Sequence, residues 1–140
     1  MKNYTENLRS PLDLYELYER LGWAEFLQLD AEQLAKAMEG SWYVLYVYDG
    51  DRLIGTGRVV SDGVINAYLC GLGVDPEYRN LGVGTRITEQ LVRRCQQSKL
   101  HVQFFCEEPL VPFYEQCGFV KFAVGMKRGP NLKPSESNRR

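Results

Sequence analysis

A chain of 140 residues with a formal net charge of −1 has the length of one domain with its own core and no global attraction to nucleic acid or to an acidic membrane. Hydrophobic residues at 44% and charged residues at 25% are ordinary for a globular protein, and no apolar run is long enough to span a bilayer. The opening MKNYTENLRS lacks the hydrophobic stretch of a signal peptide, so the expectation is a soluble, cytoplasmic protein.

Tyr4-Thr5-Glu6 reads as a short edge strand. Ser10-Pro11-Leu12-Asp13 is a helix start: Ser10 can cap, Pro11 suits the first position, and Asp13 lies near the positive end. Leu14, Leu17, Tyr18 and Leu21 form an apolar stripe that Gly22 ends. Asp30-Ala31-Glu32-Gln33 has the form of a capping box for a second helix, carried by Leu34, Ala35 and Met38 as far as Gly40. The run from Trp42 to Tyr48 is β-rich and too apolar for a one-sided edge strand. Asp49-Gly50 is a hairpin signal, Arg52 to Ser61 the partner strand, and Asp62-Gly63 the next turn. Gly55 and Gly57 mark a bulge or a close backbone approach.

A strand from Ile65 to Val74 then turns at Asp75-Pro76 and passes through Arg79-Asn80-Leu81-Gly82-Val83-Gly84. A helix follows, with Val83, Ile87, Leu91 and Cys95 on one face. His101 to Cys106 is a fifth strand, and a strand-helix-strand connection implies a parallel neighbour. Glu107-Glu108-Pro109 breaks it. Val111 to Gln116 is a short helix closed by Gly118, and Phe119 to Lys127 the last strand. The expectation is an α/β fold: a mixed, mostly antiparallel sheet flanked by helices, with a central β-loop-α unit. It places a single domain over residues 1–128 and a disordered tail at 129–140.

The four cysteines, Cys70, Cys95, Cys106 and Cys117, form no C-x-x-C pair and read as reduced and mostly buried. His101 is the only histidine, and no ligand-like cluster surrounds it. Neither a metal site nor a Ser-His-Asp triad is expected.

The chemistry suggested by the central loop follows from its backbone. The first turn of a helix offers amide N–H groups without intrahelical partners, and these favour an anion, phosphate above all. Gly82 and Gly84 remove side chains that would hold a phosphate off, and Arg79 adds a fixed positive charge. Two well-known phosphate loops fail on spacing. A P-loop needs a Gly-Lys pair and none is present, and a dinucleotide fingerprint needs glycine where Pro76 or Ile87 stands.

What remains, Arg-x-x-Gly-x-Gly after Val-Asp-Pro, resembles motif A of the GCN5-related N-acetyltransferases, the GNAT family. Phe113-Tyr114-Glu115-Gln116-Cys117-Gly118-Phe119 is similar to the family's motif B, and the resemblance extends over roughly Tyr4 to Lys127. It implies an acetyl-CoA-dependent N-acetyltransferase with acetyl-CoA as co-substrate and no metal. Leu72, Gly73 and Val74 would position the thioester, and Arg79, Asn80, Leu81, Gly82, Val83, Gly84 and Thr85 would hold the pyrophosphate.

The resemblance also implies that Tyr114 is the general acid for the departing thiolate; the alternative is a Tyr merely packed under its helix. Glu107, where the fifth strand ends, is the candidate base, and a solvated turn carboxylate is an equal reading of it. Many family members carry an acidic residue on the fourth strand; here Ala67-Tyr68-Leu69-Cys70-Gly71-Leu72 has none, leaving open a water chain through Tyr68, Asn66 or Glu107. Cys70 and Cys106 lie in apolar strands, where a thiol is a poor nucleophile, so direct attack in a ternary complex is favoured over an acyl-cysteine.

The acceptor expected is a primary amine on a small molecule or a peptide: arylalkylamine-like, a polyamine or a protein amine. Segments such as LYERLGW and FFCEEPLVPFYEQCGF are similar to a small subgroup that includes plant plastid arylalkylamine acetyltransferases. A homodimer is an open expectation, because family members often dimerise. The competing reading is an acyl-CoA-binding module without catalysis.

Overall fold

The structure, a computed structural model, describes residues 1–129. The chain divides into two compact units, Met1–Phe104 and the part from Phe105 onward. The tail expectation falls almost wholly outside the described residues.

The first unit contains β1 (Lys2–Thr5), α1 (Pro11–Arg20), α2 (Trp23–Leu27), α3 (Ala31–Glu39), β2 (Tyr43–Asp49), β3 (Arg52–Ser61), β4 (Asn66–Val74), α4 (Val83–Gln97) and β5 (His101–Gln103). Among the described residues five strands form one sheet in sequence order. All neighbours are antiparallel except β4 and β5, which are parallel. This is the mixed α/β architecture expected from the element order.

Local signals set most boundaries. Ser10 accepts a hydrogen bond from the Leu12 amide and caps α1. At α3 the Asp30 carboxylate accepts from the Gln33 amide at 2.8 Å, and the Gln33 side chain accepts from the Asp30 amide at 2.9 Å, a complete capping box. The Asp62 carboxylate accepts from the Val64 and Ile65 amides and shapes the β3–β4 turn.

Helices cover both faces of the sheet. On one, Val83, Ile87, Leu91 and Cys95 of α4 pack with Leu45, Val47, Val59 and Ala67. On the other, Leu14, Leu17 and Tyr18 of α1 and Leu34 and Met38 of α3 pack with Tyr46, Tyr48 and Leu53. Each fully buried apolar side chain is worth about 1.5–3 kcal/mol. Gly57 explains how close α4 can come: a Cβ there would stand 2.9 Å from Ile87 Cγ2 and 3.0 Å from Leu91 Cδ1. Gly57→Ala is therefore expected to destabilise the protein by about 1–3 kcal/mol, read as a lower urea midpoint at unchanged slope.

Three expectations need correction. The segment Phe119–Lys127 is not a strand. A strand exists only through a neighbour's hydrogen bonds, and within the second unit no segment forms a ladder with it; Val120, Phe122, Val124 and Met126 are exposed. The fifth strand is three residues long rather than six, because β5 pairs only with Asn66, Ala67 and Tyr68. Cys106, past its end, is consequently exposed; Cys95 is buried, and Cys70 and Cys117 are half-buried. One element was not anticipated: α2 is a single turn set off by left-handed residues at Gly22 (φ 79°) and Gln28 (φ 55°), too short to show periodicity.

The second unit holds a 3₁₀ turn (Glu108–Leu110) followed by α5 (Val111–Gln116). Gly118, at φ 94°, lets the chain leave α5 in the left-handed conformation expected of a closing glycine.

Candidate functional site

The site region of the first unit begins with an irregularity in β4. Thr56 pairs with Gly73 and Arg58 with Cys70, so Gly57 faces two residues, Gly71 and Leu72. Gly71 adopts φ 60°, as the first position of a glycine bulge requires. The bulge breaks the two-residue alternation. Leu72 joins the core beneath α4, whereas Cys70 lies within electrostatic reach of Arg58, on the side from which Tyr18 approaches Gly71. Beyond Tyr68, β4 has no partner residue on β5.

Gly73 is buried against the end of α1 and the start of α2: a Cβ there would stand 2.5 Å from Leu21 Cδ1 and 2.8 Å from Trp23 Cη2. The strand then exits through Asp75, whose side chain is 1% exposed. Its carboxylate accepts from Arg20 Nε at 2.7 Å, Arg52 Nη2 at 3.0 Å and the Glu77 amide at 2.9 Å. Burial by itself would raise its pKa; the Glu77 amide, Arg52 and Arg20 overcome that and hold it below the ordinary carboxylate value. Arg20 also donates to the Leu53 carbonyl at 2.6 Å. Asp75 thus ties α1, β3 and the start of the loop to one point.

After a 3₁₀ turn at Pro76–Tyr78, Arg79 donates from Nε to the Val74 carbonyl at 3.1 Å, which holds its exposed guanidinium beside the strand end. Asn80 (φ 64°) and Gly82 (φ 85°) are left-handed and fold the chain into the first turn of α4. The Arg86 amide donates to the Gly82 carbonyl at 3.0 Å, so the amides of Val83, Gly84 and Thr85 precede the helical ladder. Nothing lies within 4 Å of where a Gly82 Cβ would stand, so the space beside the turn is open. Open space, unladdered amides at a positive helix end, and Arg79 nearby suit a phosphate group.

The structure brings Leu72, Gly73 and Val74 and the loop Arg79–Thr85 together in one unit. The Val83 side chain is only 2% exposed and serves the core, leaving its amide for other use. Three supports escaped the sequence reading: the Arg20–Asp75–Arg52 cluster, the Thr88 hydroxyl bonded to the Gly84 carbonyl at 2.8 Å, and the bulge at Gly71. The Asp-Pro dipeptide marked the turn but not its partners, which lie 55 and 23 residues away.

The two other predicted residues belong to the second unit. Tyr114 is half-buried and its ring packs edge-on against Phe113 (5.0 Å between centroids) and Phe119 (6.2 Å). Burial, with smaller contributions from Cys106 and Cys117, pushes its pKa up to about 12. Glu107 is exposed and precedes the 3₁₀ turn; Glu108 pairs with Lys121 at 3.1 Å. Of the residues considered for a water chain, Tyr68 is 42% exposed, and Asn66 Oδ1 accepts from Gln103 at 3.2 Å. Burial raises the Cys70 thiol, which keeps it protonated.

Among the described residues no cluster of three His, Cys, Asp or Glu side chains could hold a metal ion, and no helix is long and apolar enough to cross a membrane.

The Acetyltransferase (GNAT) family model matches residues 7–119, across both units. An uncharacterized N-acetyltransferase from Porphyra purpurea is 25% identical over 129 residues, covering 89% of this chain and 74% of the algal protein. GCN5-related N-acetyltransferase 2, chloroplastic, from Arabidopsis thaliana is 29% identical over 136 residues; the match takes in 82% of this chain but only 52% of the plant protein, so the chain spans about half of that relative. A GNAT-family acetyltransferase from Streptococcus pneumoniae shares the fold with a TM-score of 0.73 at 23% identity, over 94% of this chain and 98% of that one. With the match reaching from before α1 to beyond α5, the chain belongs to the GNAT family of acetyltransferases.

Proposed function

We propose that the protein transfers an acetyl group from acetyl-CoA to a primary amine by direct attack in a ternary complex. The observation that carries this reading is the turn at Asn80–Gly82. Its left-handed residues lead into a helix start whose first three amides lie outside the ladder, beside open space at Gly82. Acetyl-CoA supplies the activated acyl group as a thioester, with a stable thiolate as leaving group.

The chain's own residues do the rest. Arg79 and the amides of Asn80, Leu81, Gly82, Val83, Gly84 and Thr85 take the diphosphate. Leu72, Gly73 and Val74 offer backbone groups along the strand edge that β5 leaves without a partner. An amide there polarises the thioester carbonyl, as an oxyanion donor does. Tyr114 returns a proton to the departing sulfur, and its raised pKa keeps that proton available at neutral pH. Glu107, alone or through water, receives the proton that the acceptor ammonium must lose. The protonated Cys70 supports direct attack over an acyl-cysteine. The reading treats residues 1–128 as one catalytic domain.

Four cysteines that form no disulfide fit a reducing compartment. The cytoplasm qualifies, and so does the interior of a plastid, which the Arabidopsis relative's name specifies for that protein.

The test is calorimetry with acetyl-CoA beside a thiol-release screen of amines, polyamines and peptides. Gly82→Val puts a branched side chain into the open space and into a left-handed conformation that costs about 1–3 kcal/mol. It is expected to weaken acetyl-CoA binding at least about tenfold. Equal binding by wild type and Gly82→Val would remove the loop from the donor site.

A further inference from the structure

We infer that the acceptor is an amine that also carries an anion, a carboxylate or a phosphate, and that Arg58, beside the β4 bulge, binds that anion. The inference rests on the acetyl-transfer reading and narrows its acceptor to one chemical class.

The central observation is a cation without a counterion. Among the described residues three arginines are half-buried: Arg20, Arg58 and Arg94. Arg20 is paired with Asp75, and Arg94 lies 4.4 Å above the Trp42 ring and donates to Ser98. Arg58 has one hydrogen bond, from Nη1 to the Ser41 hydroxyl at 3.1 Å. No described carboxylate lies within ion-pair distance of it. A guanidinium has five donors and stays charged at any physiological pH. Held partly out of water with one neutral partner, it keeps donors that water or an anionic ligand must satisfy.

The surroundings of Arg58 are polar, uncharged and reachable. A Cβ built on Gly71 would stand 3.5 Å from the Tyr18 hydroxyl and 3.8 Å from Arg58 Nε, so both side chains flank the bulge. Tyr18 and Tyr46 are 4% and 3% exposed. Neither hydroxyl has a hydrogen-bond partner among the described residues, yet no buried side-chain polar atom there is left unsatisfied. Each hydroxyl therefore keeps a small exposed area, and each can donate to an anion. Trp23 stacks edge-on against Tyr18 at 5.1 Å between centroids and forms an apolar wall beside Gly73. Glu39, the acidic residue nearest in effect to Tyr46, is exposed and outside ion-pair distance of Arg58.

Position along the strand sets the shape of the ligand. Arg58 stands opposite Cys70, and the backbone groups proposed to face the thioester begin at Leu72. Across the bulge the strand is not evenly extended, and the two positions are roughly 7 Å or less apart. An acceptor spanning that interval has its amine and its anion only a few bonds apart, as in an amino acid or a phosphorylated amino alcohol. A polyamine would bring like charge against Arg58.

The test is steady-state thiol release with paired acceptors: tyrosine against tyramine, phosphoethanolamine against ethanolamine, and spermidine alone. The wild type should favour the anionic member of at least one pair by about tenfold or more in kcat/KM, and which pair responds separates carboxylate from phosphate. Arg58→Met should remove that preference chiefly through KM, with acetyl-CoA affinity and neutral-amine turnover unchanged; Arg58→Lys should restore part of it. Preference for neutral amines or spermidine, or an equal loss on every acceptor, would overturn the inference. If acetyl-CoA binds but no amine turns over, the acetyl-transfer reading fails separately. Calorimetry of tyrosine and phosphoethanolamine on the CoA-loaded protein then decides: Arg58-dependent binding supports the anion site, and its absence overturns it.

Discussion

Tyr114→Phe is expected to lower turnover about 10²-fold while acetyl-CoA affinity stays within about twofold of wild type. The substitution removes one oxygen and keeps the ring that packs against Phe113 and Phe119, so its effect isolates the hydroxyl. Burial is the main reason that the Tyr114 pKa is pushed up to about 12. The acid form therefore persists through the alkaline range, and this group should give no falling limb in the wild-type kcat profile below about pH 10. A variant as fast as wild type would make Tyr114 a packing residue. A thermal melt checks that the ring still holds its unit together.

Asp75→Ala should be the most destabilising single change in the loop region, by about 2–4 kcal/mol. It removes the carboxylate that Arg20 and Arg52 share and the acceptor of the Glu77 amide. The range is set below a fully buried pair because Arg52 is 43% exposed and its share is screened by solvent. The sign with pH follows from linkage. The folded-state pKa is depressed, so the stabilisation is complete above the unfolded carboxylate value of about 3.9 and is lost as pH falls through the lower folded value. Urea midpoints from pH 7 to pH 3 should therefore fall less steeply for Asp75→Ala than for wild type. Parallel curves would assign the acid sensitivity elsewhere.

How much was legible depends on where each signal sits in the chain. Ser10, the Asp30–Gln33 box and the Val83–Ile87–Leu91–Cys95 stripe act within a few residues, and their elements form as read. The glycine turn before α4 was legible for the same reason: a left-handed turn and a helix start are written in adjacent residues. Non-local features were not. Asp75 needs Arg20 and Arg52, which neighbour it only after folding. The bulge depends on counting β4 against β3, and it sends Leu72 to the core beneath α4 while Cys70 lies by Arg58. The segment Phe119–Lys127 has the composition of a strand but no ladder within its unit, and composition alone cannot supply one. The isolation of Arg58 is a statement about what surrounds it, and no spacing rule encodes that.

The brevity of β5 has a consequence for how the protein behaves when empty. A strand margin without a neighbour is a template for any extended chain that presents amides at the right interval. The pantetheine arm of an acyl donor is such a chain, and so is a second polypeptide. If the donor docks on that margin as proposed, it would continue the pairing that β5 stops at Tyr68 and act as a provisional sixth strand, and the loaded protein should be less prone to stick to itself than the bare one.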